Sequence, residues 1–159
     1  MKKTFKKKSD AEALLWTGQA WGAFINMNME DMATIADVPF AKAMVERSVE
    51  LDPSFFFSSG KMLLGTIASQ ELGGDMENSK RLFEEALAQT ERRNLLIQLN
   101  MARYYAVQMG DQKLFRDLLE EVVKAGDVLP ESRLSNVIAR RRAERYLGQG
   151  SLFFSDYGS

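Results

Sequence analysis

The sequence contains neither cysteine nor histidine. Without cysteine, the chain has no disulfide, no thiolate nucleophile and no cysteine-ligated metal site. Without histidine, it lacks the commonest metal ligand and the usual general base near neutral pH. Only three prolines occur in 159 residues, and no apolar run reaches the length of about 20 residues that spans a membrane. These absences predict a helical protein that is not an enzyme and that needs no cofactor or metal.

The basic residues are unevenly distributed, although the net charge is only −1. The first eight residues hold five lysines, which leaves 16 basic against 22 acidic residues in the remainder, a net of −6. An acidic body is a poor electrostatic match for nucleic acid, so no nucleic-acid partner is expected. Polar residues follow the lysines at once, so we predict no signal peptide there. Residues 1–8 are expected to form a basic, flexible N-terminus.

Apolar residues recur at spacings of three and four along the chain, which predicts an all-α fold. Ser9 with Glu12 predicts a capping box, and aspartates at 37, 75 and 111 are expected to cap later helices. Residues 9–150 are predicted to form one helical domain. Residues 151–159 form a tail whose aromatic side chains are expected to dock on the body. The predicted helices cover about 10–28, 38–51, 54–72, 76–90, 92–109, 112–125 and 131–147.

Consecutive helix pairs with short connections indicate a tetratricopeptide-like array of antiparallel pairs, closed by a C-terminal capping helix. Small residues in such a pattern let two helices approach, and large ones fill the space beside them. The repeat is degenerate, and a generic array of helical hairpins is the alternative. The pattern is carried by Leu14, Gly18 and Trp21 with Ala41, Val45, Ser48 and Pro53; by Leu64 and Gly65 with Ser79, Phe83 and Ala86; and by Ala102 and Tyr105 with Phe115, Leu119 and Val122.

Two charged or glycine-rich motifs have a structural and a functional interpretation. Gly73-Gly74-Asp75 is compatible with an anion-binding site at a helix N-terminus. The structural interpretation is favoured, in which the glycines end one helix and the aspartate caps the next. The arginines at 140, 141, 142 and 145 are expected to pair within the protein rather than with nucleic acid. At least one of them should face inward, because three consecutive helical positions cover most of the circumference.

Core packing is the default interpretation of each aromatic ring on the first helices. Taken together, the rings favour a binding surface, because first helices line the concave side of a helical array. Tyr105 follows the repeat pattern and is expected in the core. Tyr104 lies on a face with polar residues, which suits a concave wall that borders a ligand or partner. Arg103 lies between the two faces and is placed to pair with an acidic group. The candidate binding residues are Trp16, Trp21, Asn100, Arg103, Tyr104 and Gln108.

An ordered set of short motifs over about residues 12–154 resembles the T-component family of TRAP transporters. The motifs are Leu15-Trp16, Ala20-Trp21-Gly22, Leu72-Gly73-Gly74-Asp75, Asn94-Leu95, Ala102-Arg103-Tyr104-Tyr105, Leu114-Phe115, Leu118-Leu119, Val122, Leu134, Asn136-Val137 and Arg141-Arg142-Ala143.

The resemblance implies a tetratricopeptide-like accessory protein at the periplasmic side of a bacterial envelope, usually lipid-anchored through an N-terminal cysteine. It implies association with the substrate-binding P-component of a TRAP transporter, and it is compatible with a small apolar or organic-acid ligand. This chain lacks the anchor cysteine and is expected to be the C-terminal part of a longer member or an abbreviated homologue. Self-association into a homo-oligomer is left open. The alternative function is a general peptide-binding scaffold of the cytoplasm.

Overall fold

The computed structural model describes residues 4–28, 30–71 and 73–157, and within them it is helical without a strand. The all-α prediction is therefore confirmed. The contacts group the chain into two compact units, Met1–Leu64 and Gly65–Ser159. The helices are α1 (Asp10–Met27), α2 (Met32–Ile35), α3 (Val38–Leu51), α4 (Phe55–Gln70), α5 (Met76–Gln89), α6 (Leu95–Asn100) with a π-helix (Met101–Ala106), α7 (Gln112–Lys124) and α8 (Arg133–Gly148).

In the first unit, α1 and α3 form a closely packed pair. A Cβ atom added to Gly18 of α1 would lie 2.8 Å from Val45 Cγ2 and 3.0 Å from the Ala41 carbonyl oxygen. Ser48 lies on the same face of α3 and donates a 2.7 Å hydrogen bond to the Ala11 carbonyl. The predicted small positions of the first helix pair thus lie at its contact, where they allow the two backbones to approach.

The helix starts of the first unit differ from the sequence expectation. Ser9 has helical backbone angles and makes no side-chain cap, so the predicted capping box is wrong. Instead, the Asp10 carboxylate accepts hydrogen bonds of 2.9 Å from the Lys6 and Lys7 amides and stabilises the turn before α1. Asp37 makes no cap either, because α2 occupies the preceding connection and the backbone at Asp37 is already helical.

The basic N-terminal segment contacts α3 where the structure describes it. Arg47 donates hydrogen bonds of 3.1 and 2.8 Å to the Phe5 carbonyl. Lys8 forms a 3.2 Å ion pair with Asp52 at the end of the same helix. Lys2 and Lys3 of the predicted flexible segment lie outside the described residues. Both contacts bring the segment after residue 4 to the C-terminal half of α3.

In the second unit, the end of α4 packs against α5. Ser79 donates a 2.8 Å hydrogen bond to the Gly65 carbonyl, and the ring of Phe83 lies 3.1 Å from where a Gly65 Cβ would be.

Gly73 and Gly74 have positive φ angles of 87° and 48°, and Asp75 accepts a hydrogen bond from the Asn78 amide. The glycine-rich motif therefore ends one helix and caps the next; Leu72 lies outside the described residues.

The segment from α6 to the C-terminus forms the rest of the second unit. Asp111 caps α7 through the Leu114 amide, as predicted. Phe115 of α7 is fully buried and contacts the rings of Phe153, Phe154 and Tyr157 at centroid distances of 5.4, 5.2 and 6.1 Å. The aromatic tail therefore docks on the second unit, as the sequence predicts.

Candidate functional site

The predicted binding residues belong to different units of the structure. Trp16 and Trp21 lie in Met1–Leu64, whereas the set Asn100, Arg103, Tyr104 and Gln108 lies in Gly65–Ser159. The structure brings the second set together on one helical segment, and it places Trp16 in a separate cluster of rings.

The cluster in the first unit joins α1 to the start of α4, and we call it the tryptophan cluster: Trp16, Phe55, Phe56 and Phe57. The Trp16 and Phe56 rings meet edge to face at 4.6 Å, and Phe55 lies 6.4 Å from Trp16. Trp16 remains 38% exposed and Phe56 42% exposed. Large rings that are both packed and accessible are suited to anchoring a partner.

The start of α4 has unusual backbone geometry that positions these rings. Phe56, Phe57 and Ser58 have φ angles of 45°, 55° and 60°, in the left-handed region. For residues with a Cβ atom, this region costs about 1–3 kcal/mol per residue, and such strain concentrates at functional positions. Of the three consecutive phenylalanines, Phe55 and Phe57 are half-buried and Phe56 is exposed.

Trp21 is half-buried one to two turns further along α1. Within the described residues it makes no ring contact like that of Trp16. The structure therefore separates the two tryptophans that the sequence analysis grouped.

In the second unit, the predicted site residues surround a π-helix. The Val107 amide donates to the Ala102 carbonyl, the i→i+5 pattern that defines such a helix. π-Helices are rare, are mostly single-turn insertions, and occur frequently at functional sites. Arg103 and Tyr104 lie within it, Asn100 immediately precedes it, and Gln108 follows it exposed to solvent.

Tyr105 is the more buried of the two adjacent tyrosines, as predicted. Tyr105 is 8% exposed, whereas Tyr104 is half-buried. The two methionines of this segment differ in exposure, because Met101 is buried and Met109 is 51% exposed. The extra residue in the π-turn rotates later side chains away from the positions of a regular α-helix.

Arg103 is held by two aromatic rings. Its guanidinium carbon lies 4.8 Å from the centroid of Phe153 and 5.4 Å from that of Tyr104. Among the described residues, Arg103 has no carboxylate partner, so the expected ion pair is wrong. The Phe153 ring of the docked tail takes the place of the expected carboxylate. The aromatic composition of the tail predicted that it docks, but not this contact with Arg103.

A polar network that the sequence analysis missed connects the α5–α6 turn with α7. Arg92 donates from Nε to Glu121 Oε1 at 2.7 Å, and its second nitrogen contacts the other carboxylate oxygen. This hydrogen bond is the main reason why the pKa of Glu121 lies below its ordinary value and that of Arg92 above. Gln98 is fully buried and donates to Glu121 at 3.1 Å and to the Arg92 carbonyl at 2.7 Å.

Two asparagines fix the start of α6. Asn94 accepts a hydrogen bond from the Leu96 amide. Asn136 of α8 accepts from the Leu95 amide at 3.0 Å and donates to the Arg93 carbonyl at 2.9 Å. A side chain from the last helix thus satisfies backbone groups at the start of α6, and this arrangement positions the segment that carries Arg103.

The arginine cluster of α8 does not form the expected ion pairs. Arg140 is half-buried, which confirms that one member faces inward, and its nearest polar partner is the Ala125 carbonyl at 3.5 Å. In the described part of the chain, Arg141, Arg142 and Arg145 are exposed and have no carboxylate partner. They share their face of α8 with Leu134 and Ile138, and the cluster therefore remains accessible.

Other kinds of site find little support in residues 4–28, 30–71 and 73–157. No group of three carboxylates there is placed to hold a metal ion, and none of the helices has the length and apolar character of a membrane span. A surface recess of about 540 Å³ is lined by Asn26, Met27, Asn28, Glu30 and Asp31. Four of its five lining residues are polar, and none of them is a predicted binding residue.

Comparison with curated proteins finds no significant match. The model of the family described as TRAP transporter T-component matches residues 3–154. The match covers nearly the whole chain, including both units. The chain therefore belongs to the TRAP transporter T-component family.

Proposed function

We propose that this protein binds the substrate-binding P-component of a TRAP transporter at the periplasmic side of the envelope, and that its exposed aromatic surfaces provide the contacts for that partner and for a small ligand. The observation that carries the proposal is the family match over residues 3–154. Family membership supports a transport accessory role at the envelope rather than an enzymatic one.

The tryptophan cluster is the surface best suited to anchor a protein partner in the first unit. Binding energy at interfaces concentrates in a few aromatic and arginine anchors that are largely desolvated in the complex. Trp16 is such an anchor, because its ring is already fixed by Phe55 and Phe56 and so loses little conformational entropy on binding. Its exposed edge remains available to a partner.

Calorimetry against the P-components encoded beside the gene tests the proposal. We expect Trp16→Ala to weaken binding, with a loss of about 2 kcal/mol or more if Trp16 is a central anchor. Phe40→Ala is the matched control, because Phe40 is 57% exposed on α3 outside the tryptophan cluster and its removal should leave affinity unchanged. Failure of every neighbouring P-component to bind the wild-type protein would refute the proposed partner.

A second pair of variants tests the surface around the π-helix. Tyr105→Ala should cost about 3 kcal/mol of stability, as large-to-small core changes do. Tyr104→Ala should leave the melting temperature nearly unchanged and weaken binding of partner or ligand. The opposite pattern would remove the case for a site on this segment.

The coding sequence upstream of the chain supplies an independent test of location. A lipoprotein signal joined in frame would support the envelope assignment. A coding sequence that starts at this chain without a signal sequence, together with binding of cytoplasmic peptides, would instead support the general peptide-binding scaffold of the cytoplasm.

A further inference from the structure

The exposed face of α8 combines aliphatic and cationic side chains. Leu134 is 74% exposed and Ile138 is 39% exposed, and the exposed Arg141, Arg142 and Arg145 follow them along the helix. At about 100° per residue, these five positions fall within about 100° of the helix circumference. The opposite side of the helix carries its buried residues. We call the five exposed residues the α8 face.

The arginines of the α8 face have no acidic partner, unlike the arginine that begins the helix. Arg133 forms a 2.5 Å ion pair with Asp127, whereas within residues 4–28, 30–71 and 73–157 the three arginines of the face pair with no carboxylate. Arg145 lies 5.8 Å from the Tyr146 ring, which carries no charge. Glu144 is the one acidic residue of α8, and it lies about 60° beyond the edge of the face. The face therefore presents three positive charges to the solvent.

We propose that the α8 face binds the anionic headgroups of a lipid bilayer. Guanidinium groups donate strong, charge-assisted hydrogen bonds to phosphate oxygens. Each arginine near an anionic membrane surface strengthens binding about fivefold, so the three together contribute about a hundredfold. Leu134 and Ile138 enter the boundary between headgroups and acyl chains, as the apolar residues of interfacial helices do. The long arginine stems keep the guanidinium groups at the level of the headgroups.

The composition of the α8 face favours a bilayer over an acidic protein as the partner. Its apolar residues are aliphatic, and leucine is under-represented among the anchors of protein interfaces, which are mostly aromatic residues seated in pockets. Leucine and isoleucine are instead favourable within a bilayer. The face contains no aromatic ring, and its residues are not among those that line the surface recess at 26–31. Lipid headgroups diffuse laterally, so their phosphates can reach arginines that point in different directions.

The inference goes beyond the proposed function, because it concerns a different surface and a different partner. The proposed protein contact involves the tryptophan cluster of the first unit, whereas α8 belongs to the second unit. The envelope association of the family brings an anionic lipid surface within reach of the chain.

Co-sedimentation with lipid vesicles tests the inference. The wild-type protein should bind vesicles made from an equal mixture of phosphatidylcholine and phosphatidylglycerol, and it should bind phosphatidylcholine vesicles much more weakly. Binding should decrease as salt is added, because salt screens attraction between exposed charges. Absence of binding to the mixed vesicles, or equal binding to both kinds, would overturn the inference.

Two variants of the α8 face separate the contributions of charge and insertion. The triple variant Arg141→Gln, Arg142→Gln, Arg145→Gln should weaken binding to the mixed vesicles about a hundredfold. Leu134→Ser leaves the net charge unchanged and should weaken binding at least about tenfold, the loss expected for one buried leucine side chain. Wild-type binding by the triple variant would overturn the inference.

A second triple variant, Lys80→Gln, Arg81→Gln, Lys113→Gln, provides the matched control. These three cations are exposed in the same unit, but each pairs with a carboxylate, at 3.8, 2.6 and 2.5 Å. The change in net charge equals that of the α8 triple variant, so vesicle binding should stay close to that of the wild type. An equal loss in the two triple variants would show that net charge rather than the α8 face causes the binding, and the inference would fail.

The lysines of the N-terminal segment are the other exposed cations that could attract anionic vesicles. Lys6→Gln, Lys7→Gln and Lys8→Gln, introduced together, remove three exposed charges of that segment. This variant should retain more vesicle binding than the α8 triple variant. If it loses the binding while the α8 triple variant retains it, the lysine segment is the contact, and the inference is overturned.

Calorimetry with a P-component separates the inference from the proposed function. The α8 triple variant should bind the P-component like the wild type. If it loses the P-component but still binds the mixed vesicles, the α8 face belongs to a protein interface, which overturns the inference. Vesicle binding through the α8 face by a protein that binds no P-component would support the inference and refute the proposed partner.

Discussion

Replacement of Gly18 with alanine should weaken the first helix pair, whereas the same change at Gly22 should not. A Cβ atom at residue 18 would lie 2.8 Å from Val45 Cγ2 and 3.0 Å from the Ala41 carbonyl oxygen. A Cβ atom at residue 22, one turn later in α1, would meet no atom within 4 Å. The two variants therefore introduce the same methyl group into the same helix and differ only in what it contacts.

The expected difference in the free energy of unfolding follows from two contributions, one common to both variants and one present only at Gly18. Alanine is about 1 kcal/mol more favourable than glycine in a helix interior, so both gain this amount. Overpacking of a close contact costs about 1–3 kcal/mol, and this cost applies only at Gly18. Gly22→Ala should therefore be stabilised by about 1 kcal/mol. Gly18→Ala should be about 1–3 kcal/mol less stable than Gly22→Ala, because the carbonyl oxygen of Ala41 cannot move without α3.

Tryptophan fluorescence in urea provides the assay. Both tryptophans of the chain lie in α1, so their emission reports the first unit even if the two units unfold separately. The tyrosines lie at 104, 105, 146 and 157, all in the second unit, so their signal shows whether that unit unfolds together with the first. Equal stability of the two glycine variants would show that α1 and α3 are not as close as this packing requires.

Three further changes test the second unit. Ala86→Leu should lower the free energy of unfolding by about 1–3 kcal/mol, because it overpacks a fully buried position. Ala88→Leu, on the exposed side of α5, should be nearly neutral in urea unfolding. Equal effects would mean that the small position is misassigned. The folded-state pKa of Glu121 is lowered, so its carboxylate stabilises the folded state at neutral pH, and this contribution is lost as the pH falls through the lowered pKa. In Glu121→Gln, the free energy of unfolding measured in urea should therefore depend less on pH in the acid range. An unchanged pH profile would contradict the ion pair. Gly150→Ala would place a methyl group 2.0 Å from a ring carbon of Tyr157, so limited proteolysis should release the tail faster than in the wild type, and equal rates would argue against this packing.

Helix positions could be predicted from the sequence because they depend on local signals. The second predicted helix, 38–51, matches α3 residue for residue, since Pro39 starts it and Pro53 prevents its continuation. Asp75 and Asp111 cap as expected because each precedes an apolar period and accepts from an amide three residues later. The capping box at Ser9 failed because another carboxylate, Asp10, organises the turn before it.

The geometry of the candidate sites could not be predicted in the same way. Glu91 and Arg92 have φ angles of 50° and 60°, a conformation that glycine normally supplies, so nothing in the sequence marks this turn. The π-turn at Arg103 has no composition signal. The partners of Arg103 and Asn136 come from sequence separations of about 40–50 residues, which local patterns do not determine.

The motifs that carry the family resemblance have mostly structural roles. Gly73-Gly74-Asp75 turns the chain and caps α5, Asn94 and Asn136 fix the start of α6, and Tyr105 is part of the core. Such residues help to specify the fold of this chain, because they satisfy buried or terminal backbone groups. Arg103 is an exception within these motifs: it follows the buried Ala102 directly, but its charge is satisfied neither by the helix nor by any carboxylate among the described residues.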